Sequence, residues 1–186
     1  MKIKLTPELS YLIGLWRKKK CFDGLGIRGD SDLLSLFSKE VLDKNMTTSD
    51  KLLSVEEKVY FYHTAYRKFF QDVEEGQLER FKYLNEYAAN YLAGLFDAVG
   101  EISEKGIISL SKANSQDEML LLRLGFKVRK SSDKLIVEKP FVFLAFIKNY
   151  VKLKKDNSVF QLIKGTVLKP ERAASSSILA KKEFEN

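Results

Sequence analysis

The chain is nearly without the residues that build most metal centres and covalent active sites. In 186 residues it has one cysteine, Cys21, and one histidine, His63. A lone cysteine excludes an intramolecular disulfide and a cysteine zinc site. A lone histidine excludes a histidine-rich metal cluster, and any ordinary catalytic triad would have to be built on His63. Neither residue carries a second signal: Cys21 has no visible partner, and His63 reads as surface or satisfied core. No run of about eighteen apolar residues offers a membrane span. The opening Met-Lys-Ile-Lys-Leu-Thr-Pro lacks the apolar stretch of a signal peptide. Together these absences point to a reducing, cytoplasmic setting.

What is present is a core and a surplus of positive charge. Hydrophobic residues make up 45% and charged residues 31%, enough to bury an interior and stay dissolved. Lys and Arg outnumber Asp and Glu by 32 to 25, giving a net charge of +7 and a pI near 9.3. Such a balance points to an anionic partner, nucleic acid ahead of anionic membrane.

An internal echo sets the organisation. Leu12-Ile13-Gly14-Leu15 and Leu92-Ala93-Gly94-Leu95 each follow a tyrosine, Tyr11 and Tyr91, and their glycines stand eighty positions apart. A repeat of that length implies two units. We place the first at residues 1–75, the second at 76–168 and a weakly ordered tail at 169–186, with Gly76 marking the link.

The second unit reads clearly. Leu84 to Ala98 has helical apolar spacing, and Gly100 stops it. Glu101–Ser103 and Ile107–Lys112 flank a Glu-Lys-Gly turn as a hairpin. Ile108 and Leu110 then share one face, and Ile107, Ser109 and Ser111 the other. Ser115 or Asp117 caps a helix ending at Leu124, before Gly125. Lys127–Ser131 and Lys134–Lys139 form a second hairpin, and Pro140 opens an apolar helix over Phe141 to Leu153. The first unit repeats the plan. It has a helix over Glu8 to Arg17, a strand at Leu25–Arg28 and a helix capped by Asp30 or Ser31, with Leu33, Leu36, Phe37 and Val41 on its core face. A hairpin of Asp50–Ser54 and Lys58–His63 and a helix over Ala65 to Val73 complete it.

Residues 92–100, Leu-Ala-Gly-Leu-Phe-Asp-Ala-Val-Gly, match the nine-residue signature of the LAGLIDADG homing endonucleases at seven positions, and the chain resembles that family. The resemblance implies an α/β fold of two pseudo-symmetric αββαββα halves. Their signature helices would pack through small residues, here Gly14, Ala93, Gly94 and Ala98. Two curved sheets would form a saddle over duplex DNA. In the family an acidic residue at the end of each signature helix binds the divalent metal that drives cleavage. The corresponding positions here are Val99 and, aligned without gaps from Leu12, Lys19. Valine has no donor atom, and lysine repels a cation. A second register for the first copy ends its helix at Asp23-Gly24. The departure at both positions implies a relative that binds duplex DNA without cutting it, as a monomer with a regulatory or architectural role.

Two other functions stay open: a structured-RNA binder like the family's maturases, and a residual Mg²⁺-dependent nuclease using Asp97, Glu101 or Asp23. The candidate nucleic-acid contacts are the basic run Arg17, Lys18, Lys19 and Lys20, then Arg28, Lys105, Ser109, Ser111, Lys127, Arg129, Lys134 and Lys139. The bland reading of the run is a solvated helix end. Lys127, Arg129 and Ser131 alternate with Val128, so they share a face from which an arginine can pair with guanine. Trp16, Tyr60, Tyr62 and Tyr66 read as core packing, with stacking on unpaired bases as the other use of such rings.

Overall fold

Two buried helices form the centre, and each begins where its sequence supplies a cap. The computed structural model describes residues 3–163; the expected tail at 169–186 lies outside them. Helix α1, Pro7–Arg17, starts at Thr6, whose Oγ1 accepts from the Leu9 N–H at 3.2 Å, with Pro7 in the first turn. Helix α5, Glu86–Val99, starts at Asn85, whose Oδ1 accepts from the Ala88 N–H at 3.1 Å. All residues from Leu9 to Arg17 and from Ala88 to Val99 are buried. A helix buried all round needs other helices and sheets on every side.

Glycine sets how closely the two helices approach. A Cβ on Gly14 would fall on the carbonyl oxygen of Tyr91 and lie 3.0 Å from the Leu95 nitrogen. A Cβ on Gly94 would fall on the carbonyl oxygen of Tyr11 and lie 2.8 Å from the Leu15 nitrogen. The contact is reciprocal and pairs Leu12 to Leu15 with Leu92 to Leu95 without a gap. The alternative register ending at Asp23-Gly24 is not followed, because α1 stops at Arg17 with Lys18 as its cap.

A sheet accompanies each helix. The first contains β1 (Leu25–Arg28), β2 (Leu53–Val55) and β3 (Lys58–Phe61) in the antiparallel order β1-β3-β2, with Lys20 bridging to Ile27. The second contains β4 (Gly100–Ile102), β5 (Ile108–Leu110), β6 (Val128–Ser131) and β7 (Lys134–Val137) in the antiparallel order β4-β5-β7-β6. Period-two alternation turns Leu25, Ile27, Val59 and Phe61 of the first sheet, and Ile108, Leu110, Leu135 and Val137 of the second, into the core. Helices α2 (Ser31–Asp43), α3 (Thr64–Glu75), α4 (Gln77–Arg80), α6 (Ser115–Arg123), α7 (Pro140–Ile147) and α8 (Ser158–Leu162) complete the described residues. The expected mixed α/β order is observed. None of these helices is long and apolar enough to cross a membrane.

Three expectations are corrected. Asp50 and Lys51 lie in a 3-10 turn, Ser49–Lys51, so the first hairpin starts at Leu53. The cap of α6 is Asn114, not Ser115 or Asp117. Asn114 and Asp117 exchange reciprocal bonds of 3.1 and 2.8 Å, and that capping box needs the three-residue spacing only Asn114 provides. Helix α7 ends at Ile147, not Leu153. Beyond it the backbone N–H groups of residues 152–154 leave helical bonding and turn to the carboxylate of Asp97.

Candidate nucleic-acid interface

The C-terminal ends of the crossing helices, where the sequence places its altered signature residues, are built differently. At the end of α5, Asp97 is 2% exposed. Its Oδ2 accepts from the Tyr11 hydroxyl at 2.7 Å and from the Lys152 and Leu153 N–H groups at 2.8 and 3.2 Å; its Oδ1 accepts from the Lys154 N–H at 3.0 Å. Both oxygens are taken, so Asp97 serves as a structural anchor and is not free to hold a metal. Burial and the neighbouring carboxylate push the Tyr11 hydroxyl far up, which keeps it a donor.

Next to Asp97 lies a residue that the sequence reading missed. The Lys154 Nζ donates to the carbonyl oxygens of Phe96 and Gly100 at 2.8 and 2.5 Å and sits 5.3 Å from the centre of the Phe96 ring. It therefore caps the negative end of α5 with a cation. Burial lowers its pKa; Asp97 opposes that effect and the charge of Lys19 adds to it. The only sequence signal was the basic run Lys152-Leu153-Lys154-Lys155, more than fifty residues past the signature. Val99 itself is buried.

At the end of α1 the same position carries the opposite charge. Arg17, eighty residues before Asp97, is 4% exposed. Its guanidinium pairs with Asp117, donates to the Tyr91 hydroxyl at 3.2 Å and lies 3.7 Å from Glu74. Lys18 turns inward as well, with Nζ 2.7 Å from Asp117, and burial lowers its pKa against the pull of that carboxylate. Lys20 pairs with Glu74 at 2.8 Å and covers the ring of Trp16. These placements correct the expectation for the basic run. Arg17 and Lys18 are internal ion-pair partners, and Lys20 is engaged at the surface. Among the described residues only Lys19 of the four lacks such a partner; it is half-buried, and its charge is one of those that lower the Lys154 pKa.

The sheets present the remaining candidates. On the second sheet Glu101, Ser109, Ile136 and Arg129 lie in one cross-strand row on the outer face. Arg129 and Lys127 are exposed, and Ser109 and Ser111 half-buried. The Ser111 hydroxyl donates to the Val99 carbonyl at 3.1 Å. Lys134 pairs with Glu101 at 2.6 Å, so each neutralises the other on that face. Lys105 is exposed in the β4–β5 turn, and Lys139 is exposed at the start of α7. On the first sheet Arg28 is exposed, while Asp23 pairs with Lys58 at 3.2 Å. His63 caps α3, its Nδ1 accepting from the Tyr66 N–H at 3.3 Å, and Cys21 is buried. Trp16 and Tyr66 are core residues as expected, but Tyr62 is 69% exposed and corrects the core reading.

Crystal structures of the homing endonuclease I-DmoI share this architecture. Its complex with DNA and calcium superimposes with a TM-score of 0.58 at 15% identity, covering 84% of this chain and 97% of that one. The chain has the LAGLIDADG homing endonuclease fold. A variant of I-DmoI with its target DNA and magnesium gives a TM-score of 0.58 at 14% identity over 76% of this chain and 95% of that one. The structures of mesophilic I-DmoI variants give 0.53 at 15% identity over the same shares. No family model matches the chain, and no curated protein matches it.

The homing endonuclease fold implies a divalent metal at the signature helix ends, and the residues here do not fit one. Val99 has no donor atom, Lys19 is a cation, Asp97 has spent both oxygens, and the Lys154 ammonium already holds the carbonyls at the end of α5. Among the described residues no three His, Cys, Asp or Glu side chains lie close enough to hold a metal ion.

Proposed function

We propose that this chain binds duplex DNA across the outer faces of its two sheets and does not cleave it. The observation that carries the reading is the charge at the helix ends. Where the resembling endonucleases carry acids, this chain carries Lys19 and Val99, with the Lys154 ammonium alongside. The Lys19 charge disfavours the Lys154 ammonium, and a phosphate bound by Lys19 would offset that positive charge. The solved structures with this fold that hold DNA support the choice of ligand.

In this reading Lys19 holds a central phosphate, Arg129 reads a base edge, and Lys105, Lys127 and Lys139 touch the backbone. One chain supplies both halves and acts as a monomer in a regulatory or architectural role. The test is fluorescence anisotropy with a mixed-sequence duplex of about 30 base pairs, titrated across salt in Mg²⁺. Binding should weaken steeply as salt rises, and Lys19→Ala should lower the slope by about 0.9 while weakening affinity. Supercoiled plasmid incubated under the same conditions should remain intact. Absence of binding at low salt, displacement of the duplex by folded RNA at lower concentration, or Mg²⁺-dependent nicking would each overturn the proposal.

A further inference from the structure

Helices α3 and α7 hold equivalent places, each following the last hairpin strand of its unit, but their outward faces differ. Helix α3 turns Arg67, Lys68, Gln71, Asp72 and Glu75 to solvent. Helix α7, Pro-Phe-Val-Phe-Leu-Ala-Phe-Ile, has no polar side chain at all. Its Phe143, Leu144 and Ile147 are buried, with Phe143 edge to face on both Phe96 and Phe126. Phe141 and Val142 face outward at 55% and 41% exposure, and Ala145 is half-buried. A helix that is apolar all round belongs in an interior. An outward apolar stripe on such a helix marks a surface that something covers.

The chain itself arrives at that stripe. Lys148 continues the helical backbone of α7, its N–H donating to the Leu144 carbonyl at 2.8 Å. Phe141, Ala145 and Lys148 are then spaced i, i+4, i+7 and share one side of the helix. From that side the Lys148 ammonium donates to the Ile163 carbonyl at 2.7 Å. Ile163 is buried, and Phe160 packs edge to face on Phe96 with centroids 6.1 Å apart. The last described residue is therefore fixed at the C-terminal end of the stripe. In the sequence that follows, the first apolar pair is Val167-Leu168. Phe141 lies about 10 Å from Lys148 along the axis, at about 1.5 Å per residue. Five residues of extended chain span up to about 17 Å, so Leu168 can reach Phe141.

We propose that the segment beyond Ile163 turns back along α7 and covers its outward stripe, with Val167 and Leu168 against Phe141 and Val142. A second copy of the chain or a separate apolar protein could meet the same stripe. Attachment decides between them: a segment tethered by a few residues acts at an effective concentration of about a millimolar, which a free partner has to exceed. Helix α7 packs on the core side of the second sheet, against Phe96 of α5. The outer sheet face stays open to duplex DNA, and the inference stands independently of that reading.

The experiment places the photocrosslinker benzoylphenylalanine at Phe141 of the full chain, where it extends a ring already at the surface. Dilute protein is irradiated and digested with trypsin, and the cross-linked peptide is identified by mass spectrometry. The expected product is a monomer joined within the chain to the peptide of residues 165–172. The same group at Lys68, on the polar face of α3, should give no such product. Val167→Asp with Leu168→Asp should abolish the product and raise the fluorescence of added anilinonaphthalene sulfonate. Both positions lie beyond the described core, so the circular dichroism melt should stay cooperative. A cross-linked dimer at the dilution used, a product joined elsewhere in the chain, no product at all, or a product that persists in the double variant would each overturn the proposal.

Discussion

The two crossing helices are alike in the middle and opposite at their ends. At the middle, Gly14 and Gly94 make the same contact in both directions, each glycine on the backbone of the other helix. Three residues further along, Arg17 and Asp97 occupy equivalent positions with opposite charges. Each is buried, and each is bonded to the tyrosine of the partner helix, Tyr91 or Tyr11. The comparison shows which part of a repeat is fixed by geometry and which by local bonding. Backbone-to-backbone approach leaves room for glycine alone. A buried charge can have either sign if its surroundings supply the complement. Asp97 receives three backbone N–H groups, and Arg17 receives Asp117 and Glu74.

The most damaging way to break the comparison is to remove that complement on one side. Asp117→Ala leaves the Arg17 guanidinium and the Lys18 ammonium buried without their carboxylate. Urea unfolding should show a loss of about 3–5 kcal/mol. A loss below 1 kcal/mol would mean that the arginine reaches water.

The symmetric part is tested by matched substitutions. Gly14→Ala and Gly94→Ala each drive a methyl into a helix backbone. Each should lose about 2–3 kcal/mol net, the clash outweighing the gain in helix propensity. The two values should agree closely; a large difference would show that the crossing is not reciprocal.

The smallest effect concerns a pair that ties the halves together away from the crossing. Glu40 on α2 is 5% exposed and receives the Lys44 and Lys152 ammonium groups at 2.5 and 2.6 Å. Burial pushes its carboxyl up, but the two lysines prevail and hold it below its ordinary value of 4.5. A lowered folded-state pKa means that the carboxylate contributes its full stability above about pH 4.5 and loses it as pH falls through the folded value. Glu40→Gln should therefore cost about 1–2 kcal/mol at neutral pH and flatten the acid limb of the stability curve. Urea midpoints measured from neutral pH down to acid would detect this.

Much of this was legible from local pattern. The signature run located the central helix, the echo at Gly14 located its partner, and the alternation around Val59, Tyr60 and Phe61 oriented the first sheet. The errors arose where long-range bonds override local preference. The apolar run after Pro140 reads as helix to Leu153, but Asp97, about fifty residues earlier, draws the backbone of 152–154 out of it. The run Arg17 to Lys20 reads as surface charge because Glu74 and Asp117 are 54 to 100 residues away in sequence. Lys154 was missed for the same reason. Exposure of Tyr62 follows from its place just past β3, where the pairing with β1 has ended at Leu25 and Phe61, a cross-strand fact that no single segment contains.

The opposite signs of Arg17 and Asp97 also determine how the two halves would pair if expressed as separate chains. A first half meeting a copy of itself would bury two guanidinium groups with no Asp117 to receive them. A second half meeting a copy of itself would bring Asp97 of one chain to the place of Arg17, against the Asp117 carboxylate of the other. Only the unlike pairing matches charge with charge. The inverted residues thus favour the unlike pairing of the two halves over either like pairing, with the preference written into the buried ends of the central helices.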